Sequence, residues 1–104
     1  MKIAIIGGGG RVGACTAYAL QWGGVVSEVV LQDVVADAAL GEAMDLHHGT
    51  VLLGDQTFRA GDIEDCAKAD ILIVTAGLRR RPEVSRLDLA GRNSRLFLQI
   101  LKDL

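Results

Sequence analysis

Four consecutive glycines, Gly7 to Gly10, with another at Gly13, stand where a short apolar run gives way to a helical pattern. The run, Lys2–Ile6, is Lys-Ile-Ala-Ile-Ile and reads as a buried strand. From Arg11 onward Val12, Ala14, Cys15, Tyr18, Ala19 and Trp22 recur at helical spacing, and Gly23-Gly24 marks the stop. Glycine at a strand-to-helix turn permits positive φ, close approach of backbone N–H groups to a pyrophosphate, and tight packing of helix on strand. Gly8, Gly10 and Gly13 satisfy G-x-G-x-x-G, while Gly7, Gly10 and Gly13 satisfy G-x-x-G-x-x-G. Either register puts a ready anion site at the helix N-terminus. Four glycines in a row exceed what either needs.

The rest of the chain supplies the context that such a loop requires. Glu28–Gln32 reads as a second strand, closed by Asp33. Ala36 to about His48 is rich in Ala, Leu, Glu and Met and predicts a helix, with Gly49 available to close it. Thr57–Ala60 is a weaker third strand, and Asp62 caps a short helical turn through Cys66. Ile71–Thr75 is the strongest strand, apolar enough to imply burial on both faces. Leu87–Leu104 reads as a final helix with Leu89, Leu96, Ile100 and Leu101 near one face. Strands alternating with helices demand a parallel sheet with right-handed crossovers. The expected architecture is α/β: a single dinucleotide-binding domain over residues 1–104, Rossmann-like, with about four strands in the order 3-2-1-4 and helices on both faces. The final helix runs to the last residue without a capping signal, as in a domain that continues into a second half of the sheet.

Asp33 follows the second strand and lies 20 residues after Gly13. At the tip of that strand a carboxylate accepts hydrogen bonds from the hydroxyls of an adenosine ribose and repels a 2′-phosphate, which favours NAD over NADP. The plainer role for such a residue is a turn or helix cap.

Composition excludes several classes. Half of the residues are hydrophobic, which is incompatible with intrinsic disorder. Eleven basic and thirteen acidic residues give a net charge of −2, so a globally basic nucleic-acid binder is not expected. No apolar stretch is long enough to span a bilayer, and the N-terminal run is too short for a signal-peptide core. Cys15 and Cys66 are too few and too far apart for a disulfide framework or a zinc site, and both read as small buried thiols. These features point to a cytoplasmic protein without metal. The charge is uneven, with four bases and ten acids up to residue 78 and seven bases and three acids after it. Arg79, Arg80, Arg81 and Arg86 cluster around Pro82, as an anion-binding loop or simply a solvated one.

Three further segments carry a family resemblance. Gly41-Glu42-Ala43-Met44-Asp45-Leu46-His47-His48-Gly49, Thr75-Ala76-Gly77 and Arg86-Leu87-Asp88-Leu89-Ala90-Gly91-Arg92-Asn93 resemble the lactate/malate dehydrogenase family, over the first third of a typical member. The resemblance implies that Gly7, Gly8, Gly9, Gly10, Arg11, Val12 and Gly13 bind the pyrophosphate of NAD and that Asp33 takes the adenosine ribose. It implies that Thr75, Ala76, Gly77 and Asn93 line the cofactor cleft and that Arg79–Ser85 form a loop closing over substrate. Arg80 then stands where malate-type members carry Arg and lactate-type members usually carry Gln. An Arg there pairs the second carboxylate of oxaloacetate in a dry site, whereas Gln leaves it unpaired. Arg86 would polarise the substrate carbonyl, and Asn93 would contact substrate as well as cofactor.

Departures accompany the match: Pro82 is followed by Glu83 rather than glycine, and Gln32 replaces a usually apolar residue before Asp33. The family's proton-transferring His lies beyond the segment this chain matches. His47 and His48 are the only histidines and read as surface or helix-packing residues, so no catalytic residue is expected within these 104 residues. The leading expectation is the NAD-binding part of a malate/oxaloacetate oxidoreductase. The alternatives are a lactate-type fragment, a non-catalytic self-associating nucleotide-binding module, and a binder of another adenosine ligand such as S-adenosylmethionine. The apolar fourth strand, as a sheet edge, predicts a homo-oligomer.

Overall fold

The computed structural model describes residues 1–77 and 82–104. Its elements are β1 (Lys2–Ile6), α1 (Arg11–Gly23), β2 (Glu28–Gln32), α2 (Ala36–Leu53), β3 (Thr57–Ala60), α3 (Ile63–Ala67), β4 (Ile71–Val74) and α4 (Arg86–Asp103). The strands form one sheet in the order β3-β2-β1-β4, and all three pairings are parallel. β1 runs through the middle, with Ile3 opposite both Val29 and Ile71.

Alternation along the strands builds two cores. Ile3, Ile5, Val29, Leu31 and Phe58 face Ala17 of α1 and Ala39, Ala43 and Leu46 of α2. Ala4, Ile6 and Val30 face the other way, against Cys66 of α3 and Leu96 and Ile100 of α4. Both faces of the sheet are therefore covered by helices, which is why β1 and β2 carry almost no polar residue between their ends.

Several local expectations are corrected. Gly49 does not close α2, which runs on to a cap at Gly54 with φ +130°. Gly49 instead makes room for the neighbouring helix: a Cβ there would lie 3.2 Å from Nε2 of Gln21, the buried side chain that donates to the Leu46 carbonyl at 2.5 Å. The inward stripe of α1 is Gly13, Ala17 and Gln21, spaced by four, not the larger apolar set. Val12, Tyr18 and Trp22 are exposed, and the Tyr18 and Trp22 rings pack edge to face at 6.1 Å. Cys15 shares their side and is exposed, while Cys66 is buried as expected. β4 is only half buried, with Ile71 44% exposed, because it pairs with β1 alone among the described residues. Leu101 is likewise half exposed on α4. Asp62 caps α3 as expected, in a reciprocal box with Asp65.

Candidate functional site

The glycine loop lies at the carboxyl ends of the strands, beside β1 where the strand order reverses toward β4. In doubly wound sheets that crevice is where ligands bind. Gly7 turns the chain with φ +91°, and the N–H groups of Gly7 and Gly8 both donate to the Gln32 carbonyl, at 2.8 and 2.9 Å. The backbone of Gln32, rather than its side chain, thus anchors the loop to the end of β2. Gly10 closes the turn by donating to the Gly7 carbonyl at 3.0 Å.

Most of the glycines are there because nothing larger fits. A Cβ on Gly13 would run into the Gly7 carbonyl oxygen and lie 2.9 Å from Thr75 Oγ1. A Cβ on Gly7 would lie 2.8 Å from the Ala76 nitrogen. Gly8 is pressed against Leu31 and Gly9 against Ala38, each with a contact of 2.8 Å to an added Cβ. The expectation of surplus glycines is therefore wrong for Gly8 and Gly9. Gly10 is the most tolerant of the set, its nearest contact being 3.3 Å. The backbone cradle is built by steric exclusion from three directions.

Thr75 ties the far side of the cleft to the loop. Its hydroxyl donates to the Ile6 carbonyl at 3.1 Å and approaches the Gly7 carbonyl at 3.3 Å. Ala76 follows against Gly7, and a Cβ on Gly77 would lie 3.8 Å from Asn93 Oδ1 on α4. Thr75, Ala76, Gly77 and Asn93 thus meet along one wall although they come from two elements. Arg86 stands exposed at the first position of α4, behind Ser85, whose hydroxyl accepts from the Asp88 N–H at 3.1 Å. Arg80, with Arg79 and Arg81, lies outside the described residues.

On the opposite side Asp33 directly follows β2. Its Oδ2 accepts from the Gly9 N–H at 3.0 Å and its Oδ1 from the Val35 N–H at 3.1 Å. Asp33 is thus both a turn residue and a clamp on the loop, and a carboxylate retains further acceptor capacity after two such bonds. Gly7 to Gly10 direct their N–H groups inward, to Gln32, Asp33 and Gly7. The donors left for a ligand are those of the first turn of α1, at Arg11, Val12 and Gly13, which have no partner within a helix. Gly10 caps that helix without any side-chain bond, so its positive end is uncovered. A small-residue cradle, free N–H donors at a helix start and a carboxylate beside them fit the pyrophosphate and ribose of a dinucleotide.

His47 and His48 are exposed on α2. Ala38 packs on Gly9, and His47 lies nine residues further on, about 14 Å along the helix axis. Among the described residues no group of His, Cys, Asp and Glu is arranged to hold a metal ion, and no helix is long and apolar enough to cross a membrane.

Comparison with known proteins gives the same reading. The family model described as lactate/malate dehydrogenase, NAD binding domain, matches residues 1–104. An L-lactate dehydrogenase of Acetivibrio thermocellus is 41% identical over 103 residues, 99% of this chain and 32% of that protein. Malate dehydrogenase from Archaeoglobus fulgidus, solved in complex with NADH, superposes with a TM-score of 0.88 at 36% identity, covering 99% of this chain and 35% of the other. A minor L-lactate dehydrogenase from Enterococcus mundtii, solved with ligands bound, gives 0.87 at 38% identity over 98% of this chain and 32% of its own. The chain spans about a third of the length of these relatives.

Proposed function

The chain belongs to the lactate/malate dehydrogenase family as its NAD-binding domain, and from that membership we propose that it serves hydride transfer between NAD and a small 2-hydroxy acid, of which malate is the leading candidate. One observation supports the cofactor site above the others: the interlocked contact of Gly7, Gly13 and Thr75 beneath the open N-terminus of α1. In this reading the first turn at Arg11, Val12 and Gly13 holds the pyrophosphate, with Gly7 to Gly10 shaping its seat. Asp33 holds the adenosine ribose, and Thr75, Ala76, Gly77 and Asn93 form the wall toward the reacting end. NAD supplies the hydride acceptor when bound. Asn93 and Arg86 orient the substrate, and Arg80 selects a dicarboxylate by pairing its second charge.

Lactate is the second reading, favoured by curated relatives such as the Acetivibrio enzyme. The two separate in the protein carrying this domain together with a catalytic domain of the family. There Arg80→Gln is expected to move preference from oxaloacetate toward pyruvate, and unchanged preference would refute the role of Arg80. The 104-residue chain alone is expected to bind NAD and to reduce neither acid, because its two histidines stand far along α2. Turnover surviving replacement of both His47 and His48 would overturn that assignment of the chemistry. We further propose that the protein is cytoplasmic and that the isolated 104-residue chain self-associates through the β4 edge, whose residues Ile71-Leu72-Ile73-Val74 carry no charge or proline. Sedimentation at micromolar concentration tests it: a monomer unaffected by Val74→Lys would rule out edge pairing.

A further inference from the structure

A crevice of about 610 Å³ opens between the carboxyl ends of β2 and β3, and Asp33 forms part of its rim. Its other polar walls are Asp37, in the first turn of α2, and Asp62 and Glu64, at the start of α3, above Leu40 and Ile63. Among the described residues none that lines it is basic. The arginine of β3, Arg59, is engaged instead by Glu28 at 2.8 Å and Asp65 at 3.5 Å. β3 lies on the side of β2 away from β1, so the crevice extends from Asp33 away from the glycine loop. With a ribose held on Asp33, a substituent on its hydroxyls that extended away from the glycine loop would enter it.

We propose that Asp37, Asp62 and Glu64 are specificity residues which, together with Asp33, exclude a 2′-phosphorylated dinucleotide. The inference rests on the NAD-binding reading and deepens it. A 2′-phosphate carries nearly two negative charges at neutral pH. Asp33 alone already disfavours it, but Asp33 is partly neutralised by the Gly9 and Val35 N–H groups. The three further carboxylates extend the negative field into the space the phosphate needs, and none of the described residues lining the crevice is a cation that would relieve it. NAD has no charge at that position, so the same field leaves it untouched. At roughly 10 Å in a water-like dielectric, each carboxylate weakens binding of a dianion about two- to three-fold at low salt.

The test compares the chain with an Asp37→Asn, Asp62→Asn, Glu64→Gln variant by titration with NAD and with NADP. Asn retains the capping ability of Asp62. In about 10 mM salt, NADP is expected to bind about ten-fold tighter to the variant while NAD affinity is retained. In about 500 mM salt that gain should vanish, because screening then acts within a few ångströms. A control variant, Asp55→Asn with Asp103→Asn, neutralises carboxylates outside the crevice and is expected to leave the ratio unchanged. An unaltered NADP-to-NAD ratio in the crevice variant, with NAD still bound, would overturn the proposal, as would an equal gain in the control. Failure of the unmodified chain to bind NAD would instead overturn the reading on which the proposal rests.

Discussion

Gly9 donates its backbone N–H to Asp33 Oδ2 at 3.0 Å, joining the loop after β1 to the tip of β2. The residue assigned to the cofactor ribose therefore also shapes the bed of the pyrophosphate. Asp33→Asn keeps an acceptor for Gly9 but loses the charge, and is expected to weaken NAD about ten-fold, the scale of one charge-assisted hydrogen bond. Asp33→Ala should weaken it further, because the Gly9 and Val35 N–H groups lose their acceptor as well. Calorimetric titration checks both, and equal affinity of either variant and the parent chain would refute the ribose assignment.

Glycine positions should respond to alanine with opposite signs. Gly13→Ala drives a methyl group into the Gly7 carbonyl and is expected to cost about 3 kcal/mol, within the range for overpacking. Gly41→Ala, exposed in the middle of α2 with open space around it, should stabilise by about 0.5–1 kcal/mol. Urea unfolding distinguishes them. Equal effects at the two positions would contradict the packing described for the loop.

The two thiols should differ in reactivity. Cys15 is exposed and Cys66 is buried, and burial pushes the Cys66 thiol above its ordinary pKa. Iodoacetamide is expected to label Cys15 in the native chain and Cys66 only on unfolding, as read by mass spectrometry. The sign of the linkage follows. The unfolded chain releases the Cys66 proton first, so this contribution to stability is complete below the ordinary thiol pKa of about 8.5 and is lost as pH rises through the higher folded value. Cys66→Ala should abolish that alkaline loss, apart from its own cavity cost.

Gln56, just before β3, has both amide atoms buried without a hydrogen-bond partner among the described residues. Replacing an unsatisfied buried amide by an apolar group of similar size removes a desolvation penalty and no bond. Gln56→Met is therefore expected to raise stability by about 1 kcal/mol in urea unfolding. A loss of stability would show that the amide is satisfied in solution.

Periodicity by itself determined the order of elements, the parallel sheet and the place of the glycine loop, because strand and helix patterns alternate cleanly from Lys2 to Leu104. It also located Asp33 at the end of β2, since a carboxylate directly after an apolar run marks the strand tip. Which side of α1 faces the sheet was settled only by packing. The large apolar residues Val12, Tyr18 and Trp22 suggested one face, but α1 buries Gly13 and Ala17 against the sheet and Gln21, hydrogen-bonded to the Leu46 carbonyl, against α2. The same packing keeps Gly49 inside α2, where local preference would end the helix. The partnership of Gly7 with Thr75 and Ala76, and of Gly77 with Asn93, joins residues far apart in sequence. Such contacts follow from strand order and helix approach, and steric exclusion between non-adjacent segments leaves no local pattern to read.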